Sequence, residues 1–232
     1  MKQLHLLYGF LFFLGCQTSP KGSKVVFVGG DIINPSNNYV VLYDTQNNID
    51  TLYLNDDNRF HHHFSNFKPG IHSFVHGGKY QSILLEENDS IMMHINTLDF
   101  DESIVYNGIG AKKNNYLINL LLKLEKEDRS TNASFAQSPE DYHQSIETYI
   151  SKNANDLEAF LKTNPNSDLF KKVALSSIKY HYFTRKELYP FRHFGVNSFS
   201  NFKKLPSSFY NFRKEIVYND IDLKDFYPYY NF

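Results

Sequence analysis

Cys16 is the only cysteine in the chain, and its setting points to acylation. It follows Phe13-Leu14-Gly15 at the end of an apolar run from Leu4 to Leu14, behind a Met1-Lys2 start. A short positive start, an apolar stretch, a small residue before the cut and then cysteine is the pattern of a lipoprotein signal. The thiol would carry a diacylglycerol. Each buried CH₂ adds about 0.8 kcal/mol of membrane affinity, so two or three chains anchor where one does not. The run is far shorter than the roughly 20 apolar residues that span a bilayer. A conventional cleaved signal peptide is the alternative, and either one directs the chain out of the cytoplasm. With its sulfur acylated, the chain has no disulfide, no redox pair and no cysteine metal site.

His61-His62-His63 is the next pattern with chemical potential. In a strand, His61 and His63 share one face while Phe60, His62 and Phe64 share the other. Two histidines so spaced can begin a zinc or copper site, which needs a third or fourth ligand. Only the distant His72, His76 and His94 are available, so His61 and His63 are weak metal candidates. Two solvated histidines opposite a Phe-lined core face are the plainer expectation.

Gly108-x-Gly110 before a helix completes neither G-x-G-x-x-G nor the P-loop pattern, and its glycines are expected to turn the chain from sheet into helix. Glu86-Glu87 with Asp89, and Asp99 with Asp101-Glu102, are carboxylate groups in expected turns, where acids are solvated. No G-x-S-x-G elbow occurs and no nucleophile–base pair stands out. No catalytic residue and no cofactor is nominated, and the reading leans away from an enzyme.

A formal charge of −1, near neutral with or without Lys2, gives no basic face for nucleic acid. The core must be aromatic, since the chain holds 21 Phe and 17 Tyr but no Trp. Lacking indole, it has no ring of the size on which sugars stack best.

Residues 1–15 form the leader and 16–23 a polar tether. From 24 to 108 the text is strand-like, with runs at 25–33, 39–43, 50–54, 59–64, 71–75, 82–85, 90–95 and 103–106 separated by Asn-, Asp-, Pro- and Gly-rich turns. Eight short strands without a helix between them predict an antiparallel β-sandwich. From 109 to 232 the period becomes helical: Tyr116, Leu117, Leu120, Leu121 and Leu124 recur at helical spacing, with Lys112, Lys113 and Lys123 as polar positions. Ser138-Pro139-Glu140-Asp141 and Ser167-Asp168 read as helix starts. Shorter helices broken by Gly195, Pro206 and Pro228 are expected beyond Pro190. The fold class is α+β. The terminal Phe226-Tyr227-Pro228-Tyr229-Tyr230 either docks on the helices or awaits a partner.

Several stretches together resemble the N-terminal half of the TlpA/ResA-like thiol–disulfide oxidoreductase lipoproteins of Bacteroidota. They are Phe13-Leu14-Gly15-Cys16, Gly70 in a Pro-Gly turn, and Leu84-Leu85-Glu86-Glu87-Asn88-Asp89-Ser90-Ile91. The junction from Tyr106-Asn107-Gly108-Ile109-Gly110 through Lys113-Asn114-Asn115-Tyr116-Leu117 is the most specific of them, and the aromatic terminus also fits. The resemblance implies a lipid anchor through Cys16 in the cell envelope, facing the periplasm from the outer membrane. It also implies a sandwich and helices that accompany a thioredoxin-like domain. The Cys-x-x-Cys domain itself is missing, so no redox residue carries over. The expected function is a non-catalytic scaffold or interaction region of such an oxidoreductase. The alternatives are a fragment whose catalytic domain follows Phe232, and a glycan- or peptide-binding lipoprotein.

Overall fold

Three asparagines with left-handed backbone, Asn34 (φ 55°), Asn58 (φ 58°) and Asn88 (φ 69°), turn the chain between its strands. Asparagine tolerates this region because its short amide bonds the local backbone. The computed structural model describes residues 26–46, 48–64, 67–197 and 199–232. Cys16, the leader and the tether lie outside them. The strands are β1 (Phe27–Ile33), β2 (Tyr39–Tyr43), β3 (Ile49–Tyr53), β4 (Arg59–His63), β5 (Gly70–His76), β6 (Lys79–Leu85), β7 (Ser90–Asn96) and β8 (Val105–Ile109). They make two four-stranded sheets, ordered β4-β1-β7-β8 and β3-β2-β5-β6.

Alternation places one face of each strand in the sandwich core. Ile91, Met93 and Ile95 of β7 are buried beside Phe60, Phe74 and Ile83, while Met92 faces outward. Two details depart from the expected antiparallel sandwich. β1 and β7 run parallel, because the chain visits the second sheet twice before β7 returns beside β1. A short helix, α1 (Phe100–Ser103), also interrupts the strands before β8.

The helical part comprises α2 (Ala111–Thr131), α3 (Pro139–Thr163), α4 (Asp168–Phe194) and the short α5 (Tyr227–Tyr230). The expected starts hold: Ser138 Oγ accepts the Asp141 N–H at 3.2 Å and Ser167 Oγ accepts the Phe170 N–H at 3.0 Å. Pro190 does not end α4, which runs on to Phe194 and stops at Gly195 (φ 90°). A mid-helix proline costs about 3 kcal/mol, and packing here offsets it. Tyr189 stacks on Tyr142 with centroids 4.0 Å apart and its hydroxyl donates to the Gln137 carbonyl at 2.7 Å.

The aromatic terminus docks on the helices. Phe226 is buried, and Tyr229 and Phe232 pack against Tyr180 at 5.1 and 5.4 Å. Ile71 and Leu84, on the outer face of the second sheet, belong to the same apolar cluster as Leu120, Leu124, Phe170 and Val173. The helices therefore cover part of that sheet, and the sequence boundary near residue 109 does not separate two independent cores.

Candidate functional site

The sheet-to-helix junction is held by polar groups that burial makes costly to lose. Lys113 Nζ, at the first turn of α2, donates to Asp89 Oδ2 at 2.6 Å and to Glu86 Oε2 at 2.8 Å. Lys113 and Asp89 are 4% and 5% exposed. Asp89 Oδ2 also accepts the Glu86 N–H at 2.8 Å, closing the β6–β7 turn. Burial pushes the Asp89 carboxyl above its ordinary range, while the bonds from Lys113 and Glu86 pull the other way. Asp89 is therefore not the solvated turn acid its sequence setting implied, and Lys113 is not a solvated helix lysine.

The glycines do more than turn the chain here. A Cβ at Gly110 (φ 88°) would sit 2.3 Å from Asp89 Oδ1, and one at Gly108 (φ 99°) would sit 2.1 Å from the Ser90 carbonyl oxygen. Next on α2, two adjacent asparagines bind one edge strand of each sheet. Asn114 Oδ1 accepts the Leu84 N–H of β6 at 2.8 Å and its Nδ2 donates to the Leu84 carbonyl at 2.9 Å. Asn115 makes the same pair of bonds with Tyr106 of β8, at 2.9 and 2.8 Å.

Beyond Asn114 the helices and the second sheet diverge around a cleft of about 840 Å³. Its floor is Ile71, Tyr80, Ser82 and Leu84. One wall is the α2 stripe Leu117, Ile118, Leu121, Leu124 and Asp128, and the other is the α4 stripe Val173, Tyr180, His181, Arg185, Leu188 and Arg192. The steps of three and four residues put each stripe on one helix face. From Asn114 to Asp128 the wall is about 21 Å long at 1.5 Å per residue. Across the mouth, Tyr80 of β6 meets Tyr227 of α5 with centroids 6.3 Å apart.

Aliphatic and aromatic side chains share the lining with polar ones, among them Ser82, Glu125, Ser177 and Thr184. At one end Arg185 pairs with Asp128, and His181 Nε2 lies 3.3 Å from Asp128 Oδ1. Burial favours the neutral Asp128 carboxyl, yet its bonds with His181 and Arg185 prevail and hold it below its ordinary range. At the other end Asp101 Oδ1 accepts from Gln81 Nε2 at 3.4 Å. A concave volume of this size that mixes apolar surface with polar groups suits a ligand-binding pocket.

A serine and a histidine that looked unrelated in sequence do meet. Ser208 Oγ is 3.0 Å from His143 Nε2, while His143 Nδ1 lies 3.2 Å from Lys186 Nζ and 3.6 Å from Glu147. The group within hydrogen-bond distance of Nδ1 is thus the Lys186 ammonium, with the Glu147 carboxylate farther off. A Ser–His–acid triad instead has a carboxylate hydrogen-bonded to Nδ1. Burial and the Lys186 charge also hold His143 below its ordinary range.

The histidine run behaves as alternation dictates. His61 and His63 are exposed and lie opposite Gly29 and Phe27 on β1, whereas Phe60 is buried. The distant histidines are engaged elsewhere. His72 is buried between Phe64 and Phe67, His76 bonds the Ser36 N–H and the Tyr39 carbonyl, and His94 pairs with Asp31 at 2.6 Å. Among the described residues no three His, Cys, Asp or Glu side chains gather to hold a metal ion, and no helix is long and apolar enough to cross a membrane. Cys16, the nominated lipidation site, lies outside the described residues.

The cleft was not readable as a site in the sequence. Its apolar α2 stripe is the same periodic signal that any core helix carries. No family model matches the chain, and no curated protein and no solved structure matches it either.

Proposed function

We propose that this chain is a non-catalytic, membrane-anchored lipoprotein of the cell envelope that binds peptide in the cleft between α2, α4 and β6. The observation that carries the reading is the cleft itself: about 840 Å³, walled by leucines at helical spacing and bridged at its mouth by Tyr80 and Tyr227. The leucine stripe of α2 suits apolar peptide side chains, and the polar groups beside it suit the peptide backbone. A wall of about 21 Å accommodates roughly six extended residues. The Ser208–His143 pair has a lysine and not a carboxylate at hydrogen-bond distance of Nδ1, which supports a binding role over a hydrolytic one.

Fluorescence polarisation with labelled octapeptides rich in Leu and Phe tests the reading. Leu121→Glu places a carboxylate on the α2 wall at a half-buried position, and binding should weaken about tenfold or more with the circular dichroism unchanged. Equal binding by both proteins overturns it. The anchor is tested separately by Cys16→Ala, which should move the protein from the membrane fraction to the soluble one.

A second reading makes this chain the scaffold of a thioredoxin-like thiol–disulfide oxidoreductase, docking the catalytic domain. Tyr218 and Ile221, 75% and 73% exposed before the terminal turn, favour such an interface. Either way the chain by itself should give a blank in an insulin reduction assay.

A further inference from the structure

The mouth of the cleft carries a feature that the peptide reading alone does not require. Tyr80 and Tyr227 stand there half exposed, and Tyr230 packs on Tyr227 outside the lining. Tyr227 meets Tyr80 at 6.3 Å with planes 61° apart, and Tyr230 at 5.6 Å with planes 88° apart. Asp101 lies on the same lining as Tyr80 and Tyr227. Its carboxylate is half-buried, and among the described residues it has no ion pair and a single, long side-chain hydrogen bond, to Gln81.

Electron-rich ring faces attract cations, and so does a partly desolvated carboxylate with no cation of its own. Burial pushes the Asp101 carboxyl above its ordinary range, with Glu102 adding to the rise and Lys79 opposing it. That carboxylate therefore gains more from a cation than a solvated one would. Lys79 holds its ammonium over the Phe100 ring, 5.6 Å from the centroid.

Resting on the peptide reading above, we propose that Tyr80, Tyr227 and Asp101 form a subsite for a lysine or arginine side chain of the bound peptide. The cation lies against the tyrosine rings with Asp101 as its counter-charge, and the neighbouring apolar residues enter the leucine-walled cleft. Specificity is then for a basic residue next to aliphatic ones.

Three labelled octapeptides, alike except for a central lysine, norleucine or glutamate, separate the outcomes. The wild-type chain should bind the lysine peptide about tenfold more tightly than the norleucine one, which is about 1.4 kcal/mol, and the glutamate peptide least. In Asp101→Asn the lysine-to-norleucine affinity ratio should fall from about ten to about one, a ratio within one variant that loss of folding cannot imitate. Equal affinity for lysine and norleucine peptides overturns the basic subsite and leaves the cleft reading standing. If none of the three binds, both fall together.

Discussion

The amide of Asn114 does for Leu84 what a neighbouring strand would do, accepting its N–H at 2.8 Å and donating to its carbonyl at 2.9 Å. β6 is an edge strand, and an edge with free backbone groups invites pairing with another chain. Asn114 occupies that edge at one end of the cleft. Gln81 occupies it again by accepting the Ser82 N–H at 2.9 Å. A ligand is thus steered toward the side-chain surface of the cleft and away from strand addition.

Asn114→Ala should therefore be costly, because this amide on α2 is buried. It leaves a buried N–H and a buried carbonyl unpaired, and the expected loss is about 2–3 kcal/mol by urea denaturation. Asn119→Ala, on the exposed face of the same helix, should stay within about 0.5 kcal/mol.

Two buried lysines should respond oppositely to replacement by methionine. Lys113→Met strands Asp89, which is 5% exposed, and should cost about 3–5 kcal/mol. Adding Asp89→Asn should recover part of that loss. Lys186 is fully buried, but its partner Glu147 keeps a side chain 48% exposed. Water can hydrate the acid left behind, so Lys186→Met should stay within about 1 kcal/mol. What decides is the burial of the abandoned carboxylate, and unfolding curves of the two variants compare it directly.

Gly110→Ala should destabilise more than a left-handed residue alone explains. The new Cβ would stand 2.3 Å from the Asp89 carboxylate, displacing it from Lys113. In the background that already lacks the ion pair, Lys113→Met with Asp89→Asn, the cost of Gly110→Ala should shrink. A cycle of thermal melts reads the coupling.

Stability should fall as the pH drops through 6.5. Burial holds His72 below its ordinary value of 6.5, and His62 and His143 are lowered too, burial being the first cause in each. Between the folded and unfolded values the unfolded chain binds more protons, so the contribution is complete above 6.5 and lost below it. His72→Phe should flatten the fall in melting temperature between pH 7.5 and 5.5.

Much of the fold was legible because the signals are local. The left-handed asparagines Asn34, Asn58 and Asn88 all fall within the turn clusters marked in the sequence, and the Ser138 and Ser167 caps start α3 and α4 where expected. What escaped depends on contacts far apart in the chain. The parallel β1–β7 pair, the persistence of α4 past Pro190 and the burial of Lys113 with Asp89 are decided by neighbours that no local window contains. The same holds for the cleft. Leu117, Leu121 and Leu124 carry one periodic pattern whether the opposite surface is solid core or open space.

Hydrogen–deuterium exchange with and without a bound lysine-containing octapeptide tests the central claim most directly. Protection confined to β6, to α2 between residues 114 and 128, and to the facing turns of α4 is the predicted result. Protection on the outer face of β2 and β3 instead, or no change along α2 and α4 at saturating peptide, would contradict the account.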